Sequence, residues 1–292
     1  MKWVDLHIHT TFSDGTLSPT QSLIRAKEHN IVVAAIADHD SVDGVEEALK
    51  TGKELGIKVI PAVEVSASID RQSIHILGYN INFKDSSIND LLHEIRKSRI
   101  ERAKRIIEKL NEHGVNIKFE DVLKYAKPHV LGRPHIAETL VELGVVKERL
   151  EAFKIYLGED RPCFVPKIVP EPRVIVQAIK DAGGVPVLAH PCKLDDKNLI
   201  YQVINAKVEG LEVWHPFHTE EDIKFLKELL EKGIKGYLAE LLGREIIRHP
   251  KFKPIVSDIE EKATNARTLE DAQVIVKMRE KELIDKLLTA LG

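Results

Sequence analysis

A chain of 292 residues is long enough for two average domains or one large α/β barrel, and either would bury a substantial core. Its 43 Lys and Arg against 46 Asp and Glu exclude a protein held to DNA or to a membrane surface by bulk charge, so any nucleic-acid contact must be local. The start MKWVDLHIHT carries no long apolar region, no run is long enough to span a bilayer, and two cysteines, Cys163 and Cys192, are too few for a disulfide framework. A soluble, cytoplasmic protein with two reduced thiols is expected.

The first run, WVDLHI, reads as a strand whose period of two sets Asp5, His7 and His9 on one face and Val4, Leu6 and Ile8 on the other. SPTQSLIRAKEHN reads as a helix capped by Ser18 with Pro19 at its first position. IVVAAIAD follows as a strand ending in Asp38 and His39. A helix from about Ser41 to Leu55 comes next, with Gly56 where a left-handed residue belongs. IKVIPAVEVSA then carries Glu64, and SIHILGYNI carries His75. This alternation predicts βαβ units and a parallel sheet.

From about Ser86 to Glu159 the pattern is helical. INDLLHEIRKSRIERAKRIIEKLNEHG places Leu91, Leu92, Ile95, Ala103, Ile106, Ile107 and Leu110 at helix spacing. The α/β rhythm resumes with PEPRVIVQAIKDAGG, VPVLAHP and VEGLEVWHP, so the helical stretch interrupts one domain. The expected division is a first barrel part over 1–85, a helical cap over 86–160, a second barrel part over 161–265 and a C-terminal helix over 266–292. That last helix, TLEDAQVIVKMREKELIDKLLTALG, is amphipathic and capped by Thr268.

His and Asp/Glu residues repeatedly adjoin the predicted strands, including His190 after VPVLA and His215 after LEVW. In a parallel barrel the carboxyl ends of the strands open on one rim, where such groups would meet. Imidazoles and carboxylates together are transition-metal ligands, and Mn²⁺, Fe²⁺ or Zn²⁺ fit best. Taken singly, each residue has an ordinary explanation: an imidazole at a strand end, or a buried carboxylate in an ion pair. Their recurrence is what points to metal. His29, His93, His113 and His249 lie in polar contexts and are expected to face solvent.

Taken together and in order, DLHIHTTFSDG, IADHD, PAVEVSA, HILGY, GRPHIAETLVELG and LAHP strongly resemble the PHP (polymerase and histidinol phosphatase) family of metal-dependent phosphoesterases. The resemblance runs from Met1 to about Lys232. It is narrower still to the branch of nucleoside 3′,5′-bisphosphate phosphatases and 5′-to-3′ exoribonucleases acting on short RNA. It implies a distorted seven-stranded β/α (TIM-like) barrel with a helical insertion and two to three divalent metals, Mn²⁺ foremost. His7, His9 and Glu64 would hold one ion, Glu64, His75 and His190 a second, and Asp14 and His39 a third. Clustered cations would hold a shared water as hydroxide in line with phosphorus. Asp5 would orient the first imidazoles from behind. Arg99, Arg133 and His135 would bind the substrate phosphate, because a guanidinium fork suits phosphate oxygens. His218 would assist protonation of the leaving group.

The sequence departs from the family after HTEED. The usual glycine-serine-aspartate segment with a following histidine is missing; Ser257-Asp258 could replace the aspartate, but Glu260 stands in the place of the histidine. Asp258 or Glu240 could rebuild the site. The alternatives are a diverged barrel that binds a phosphorylated ligand with little turnover, or a histidinol-phosphatase-like enzyme. The expected partner is a small phosphorylated nucleotide or short oligoribonucleotide, not a membrane or bulk DNA.

Overall fold

The computed structural model describes residues 2–70, 72–125, 131–194, 196–231 and 237–239. Ser257, Asp258, Glu260, Glu240, His249 and the predicted C-terminal helix lie outside the described residues. Strands β1 (Trp3–Ile8), β2 (Ile31–Ile36), β3 (Lys58–Ile69), β4 (Gln72–Tyr79), β5 (Val185–Leu188), β6 (Gly210–Glu212) and β7 (Tyr237–Ala239) follow one another in chain order across one curled sheet, a half-barrel. Helices α1 (Pro19–Glu28) and α2 (Val45–Leu55) alternate with the first strands. Between β4 and β5 lie α3 (Ser86–Glu112), α4 (Phe119–Val122), α5 (Arg133–Glu142), α6 (Arg149–Ala152) and α7 (Pro172–Asp181), while α8 (Asn198–Asn205) and α9 (Glu220–Glu231) flank β6.

The local signals act as chemistry dictates at α1, where Ser18 Oγ accepts the Gln21 N–H and the Gln21 side chain returns to the Ser18 N–H. Gly56 closes α2 at φ 69°, a conformation that costs glycine nothing. The start of α2 is a correction: it begins at Val45, not at Ser41, since residues 41–44 form a non-helical turn.

The sheet is mixed, which corrects the expectation of parallel strands. β4 runs antiparallel to both β3 and β5. Only residues 70 and 71 separate Ile69 from its partner Gln72, with Asp70 at φ 46°. A two-residue connection permits a hairpin, whereas a parallel crossover needs a dozen residues or more.

A second correction concerns β1. Asp5 pairs with Ala34 but Ile8 with Ile36, so one extra residue is accommodated in β1, a bulge. Below it, Val4 and Leu6 join the interior core with Val33, Ala35, Ala62, Leu77 and Val187. Above it, Ile8 packs outward with Leu23, Ala26 and Ile36. The simple alternation that would set Leu6 opposite His7 therefore breaks within the strand.

Helices α7, α8 and α9 cover the outer face of the sheet through Ile175, Ile179, Ile200, Val203 and Leu226. The helical stretch has its own core, in which Ala103, Ile106 and Leu110 of α3 meet Ile136 and Leu140 of α5, Leu157 and Cys163. No helix among the described residues is long and apolar enough to cross a membrane.

Candidate metal centre

The rim of the half-barrel gathers its ionisable groups around one carboxylate. Glu64, on β3, is fully buried. Its Oε2 lies 3.3 Å from His7 Nε2, 3.2 Å from His9 Nε2 and 2.9 Å from His39 Nδ1. Its Oε1 lies 3.1 Å from His75 Nδ1 and 2.9 Å from His190 Nε2. The two Nε2 atoms of His7 and His9 are 3.1 Å apart, and His75 Nδ1 is 3.4 Å from His190 Nε2. Asp14 stands outside this ring, half-exposed, 3.5 Å from His9 Nδ1 and 3.8 Å from His39 Nε2.

Despite these short distances, no hydrogen bond of good angle reaches Glu64 Oε2. Imidazole nitrogens that crowd a buried carboxylate oxygen without aiming N–H at it are placed as ligands around a cation would be. The donor set, nitrogen with carboxylate oxygen, fits a transition metal.

Burial alone would push the Glu64 carboxyl up, but the imidazoles of His39, His75 and His190 outweigh it and hold the group well below the usual range. Burial also opposes charge on His7; Glu212 and Glu64 overcome it and lift that imidazole to about 10. His75 goes the other way, to about 4, because burial outweighs Glu64. A neutral His75 presents a lone pair.

Glu212, at the end of β6, escaped the sequence reading. Its Oε1 lies 2.9 Å from His7 Nδ1 and its Oε2 accepts the His190 backbone N–H at 2.6 Å. One carboxylate thus orients an imidazole from β1 and pins the backbone after β5, where His190 sits at a strained φ of 28°. The orienting role expected of Asp5 belongs here, since Asp5 meets His7 only through the backbone N–H, at 3.2 Å. The signal was present in GLEVWHP, a charged residue inside a very short buried strand. His7, Glu212 and His215 bring ligand atoms within 4.8 Å of one another, as do His7, His9 and Glu64, His9, Asp14 and His39, and His39, Glu64 and His75.

Asp38 is structural, accepting the Thr10 N–H at 2.7 Å and the Ser13 hydroxyl at 2.5 Å to shape the turn before Asp14. His218 donates Nδ1–H to the Val213 carbonyl at 2.7 Å, which leaves Nε2 bare, buried and without a hydrogen-bond partner, 5.6 Å ring to ring from His215.

The helical stretch contributes the cations. Arg99 of α3 donates to the buried Asp40 carboxylate and to Ser66 Oγ, while its Nε is buried without a hydrogen-bond partner. Burial would raise the Asp40 carboxyl, but Arg99 and Lys167 bring it below the usual range. Arg133 donates to the Leu157 carbonyl at 3.1 Å with its guanidinium 5.7 Å and 5.4 Å from the rings of Phe153 and Phe164. His135 Nδ1 accepts the Gly132 N–H at the start of α5, which leaves Nε2 for another partner. Lys167, not singled out in the sequence, donates to Ser73 Oγ at 3.3 Å; burial together with Arg99 and Arg102 pulls its ammonium down to about 8. His29, His93 and His113 are exposed, as their polar contexts predict, and Cys163 and Cys192 are free thiols.

Comparison with known proteins agrees with this geometry. The PHP domain family matches residues 5–137. The chain is 36% identical over 213 residues to a 5′-3′ exoribonuclease of Haemophilus influenzae, covering 73% of this chain and 76% of that one. It is 33% identical over 226 residues to a 3′,5′-nucleoside bisphosphate phosphatase of Chromobacterium violaceum, covering 75% and 79%. A solved structure from Bifidobacterium adolescentis, described as a metal-dependent phosphoesterase, superposes with a TM-score of 0.69 at 30% identity, over 81% of this chain and 85% of that one.

Proposed function

Because the chain belongs to the PHP family and is a phosphoesterase, we propose that it removes phosphate from small nucleotides of the nucleoside 3′,5′-bisphosphate type or trims the 5′ end of short RNA in the cytoplasm. The observation that carries this reading is the buried Glu64 carboxylate encircled by five imidazoles. In this reading His7, His9 and Glu64 hold one ion, Glu64, His75 and His190 a second, and Asp14 and His39, with Asp258, a third, with Mn²⁺ as the metal. Bound there, divalent cations would lower the pKa of water and neutralise charge on phosphate oxygens.

The chain's own residues do the rest. An ion at Glu64 would displace the Nε2 proton of His7, and Glu212, accepting Nδ1–H, would hold the neutral ring with Nε2 turned toward Glu64. Arg99, Arg133 and His135 grip phosphate from the helical side, and Lys167 adds a charge between them and the sheet. His218, whose bare Nε2 can first accept the proton lost by the attacking water, returns it to the leaving oxygen. In this reading residues 86–160 act as the cap over the rim of a distorted, TIM-like barrel of seven strands.

The test is metal analysis of protein purified without chelator, then a screen of phosphate esters with added Mn²⁺. Release of phosphate from nucleoside 3′,5′-bisphosphates or shortening of 5′-phosphorylated RNA supports the reading. A preference for histidinol phosphate moves the enzyme to another branch, and tight nucleotide binding with no turnover makes it a sensor.

A further inference from the structure

Phe217 is the most exposed of the large apolar side chains among the described residues, at 65%. It follows His215 in the turn after β6, and its backbone N–H donates to His215 Nδ1 at 3.3 Å. Its ring centroid lies 5.2 Å from the His215 imidazole at a 33° tilt. His215 in turn lies 5.3 Å from His190 and 5.9 Å from His7. An aromatic face therefore stands next outward from the metal ligands in a continuous run of rings. Lys193, in the short turn after β5, places Nζ 4.4 Å from the Phe217 centroid. Isolated exposed apolar residues are ordinary on any surface. A ring contiguous with a candidate catalytic centre and flanked by an ammonium is a different matter, because both features suit a planar base attached to a phosphate.

Resting on the phosphoesterase reading above, we propose that Phe217, supported by Lys193, is the platform on which the substrate's nucleobase stacks. It therefore sets a preference for nucleotides over phosphate esters that lack a base. Every base offers a π face, so the platform accepts purines and pyrimidines alike and suits an enzyme that meets RNA ends of any sequence. Stacking acts on binding, so its contribution appears in KM and not in the chemical step.

The experiment compares a nucleoside 3′,5′-bisphosphate with ribose 3,5-bisphosphate, its base-less counterpart, on wild type, Phe217→Ala and Phe217→Trp, with Mn²⁺ content measured for each. Phe217→Ala is expected to lower the ratio of kcat/KM between the two substrates by on the order of tenfold, through KM, at constant metal content. Phe217→Trp, which keeps a ring, is expected to retain the ratio. An unchanged ratio in Phe217→Ala, or an equal fall in both variants, overturns the stacking role while leaving the phosphoesterase reading intact. A wild type inert on both substrates overturns that reading and this one with it.

Discussion

The imidazoles at the rim and the arginines of the helical stretch are built on opposite plans. The imidazoles sit on strands or directly after them, on short side chains, and each is constrained by a neighbouring strand; Glu212 alone ties β1 to the backbone after β5. The arginines reach in on long side chains from α3 and α5, and each is steadied by a group that is not a ligand: Asp40 for Arg99, the Leu157 carbonyl and two rings for Arg133. Under the proposed function the imidazoles are metal ligands, which tolerate little displacement, and the sheet is the part of the fold that can hold them so. A phosphate with several oxygens can be met from a range of angles, so helices suffice.

If that contrast is right, substitutions on the two sides separate metal loss from substrate loss. The largest effect is expected at Glu64→Gln, which should remove most of the bound metal and nearly all activity, since its two oxygens face five imidazoles. Elemental analysis of the purified variant checks this; full metal content would break the comparison at its root. Glu212→Gln comes next. It contacts no substrate in this reading but should weaken Mn²⁺ binding by roughly 10- to 100-fold, the usual cost of losing an orienting partner. A metal titration that matches wild type would show that the sheet alone positions His7.

Arg133→Ala should leave metal content unchanged and weaken substrate binding by about 1.5–3 kcal/mol, the range for a charge-assisted hydrogen bond. Equal loss of metal would make Arg133 part of the scaffold. The smallest effect concerns pH. Lys167 faces Arg99 and Arg102 of α3 as well as Asp40 and Glu64, and its ammonium is held down at about 8. Below that pH it is charged and above it neutral, so KM should rise severalfold as pH passes about 8. In Lys167→Arg, whose guanidinium stays charged, that rise should vanish; a rise that persists assigns it elsewhere.

The convergence of five imidazoles on Glu64 was largely legible because each of these residues adjoins an apolar run that announces a strand, as in VVAAIADH and VIPAVEV. For Glu212 the charge inside a short apolar run was legible but its pairing was not, since β6 is three residues long and its partner His7 lies 205 positions away. The pairing of Arg99 with Asp40 was hidden for the same reason: nothing in a basic helix face indicates which arginine meets a carboxylate 59 positions earlier. The antiparallel β4 could have been read from the two residues between its runs. The bulge in β1 could not, because HIH at a strand end fits either phase.

That bulge makes β1 a phase shifter. Its lower half is in step with the hydrophobic interior and its tip is in step with the imidazoles around Glu64, and one extra residue between Asp5 and Ile8 converts one into the other. Deleting Leu6 would remove the extra residue, leave Ile8 opposite Ile36 and take one side chain out of the interior core. The spacing of DLHIH is thus a measurement of length: on a regular strand the same motif would keep both imidazoles on one face but turn Leu6 to the face of Ile8, out of the interior core.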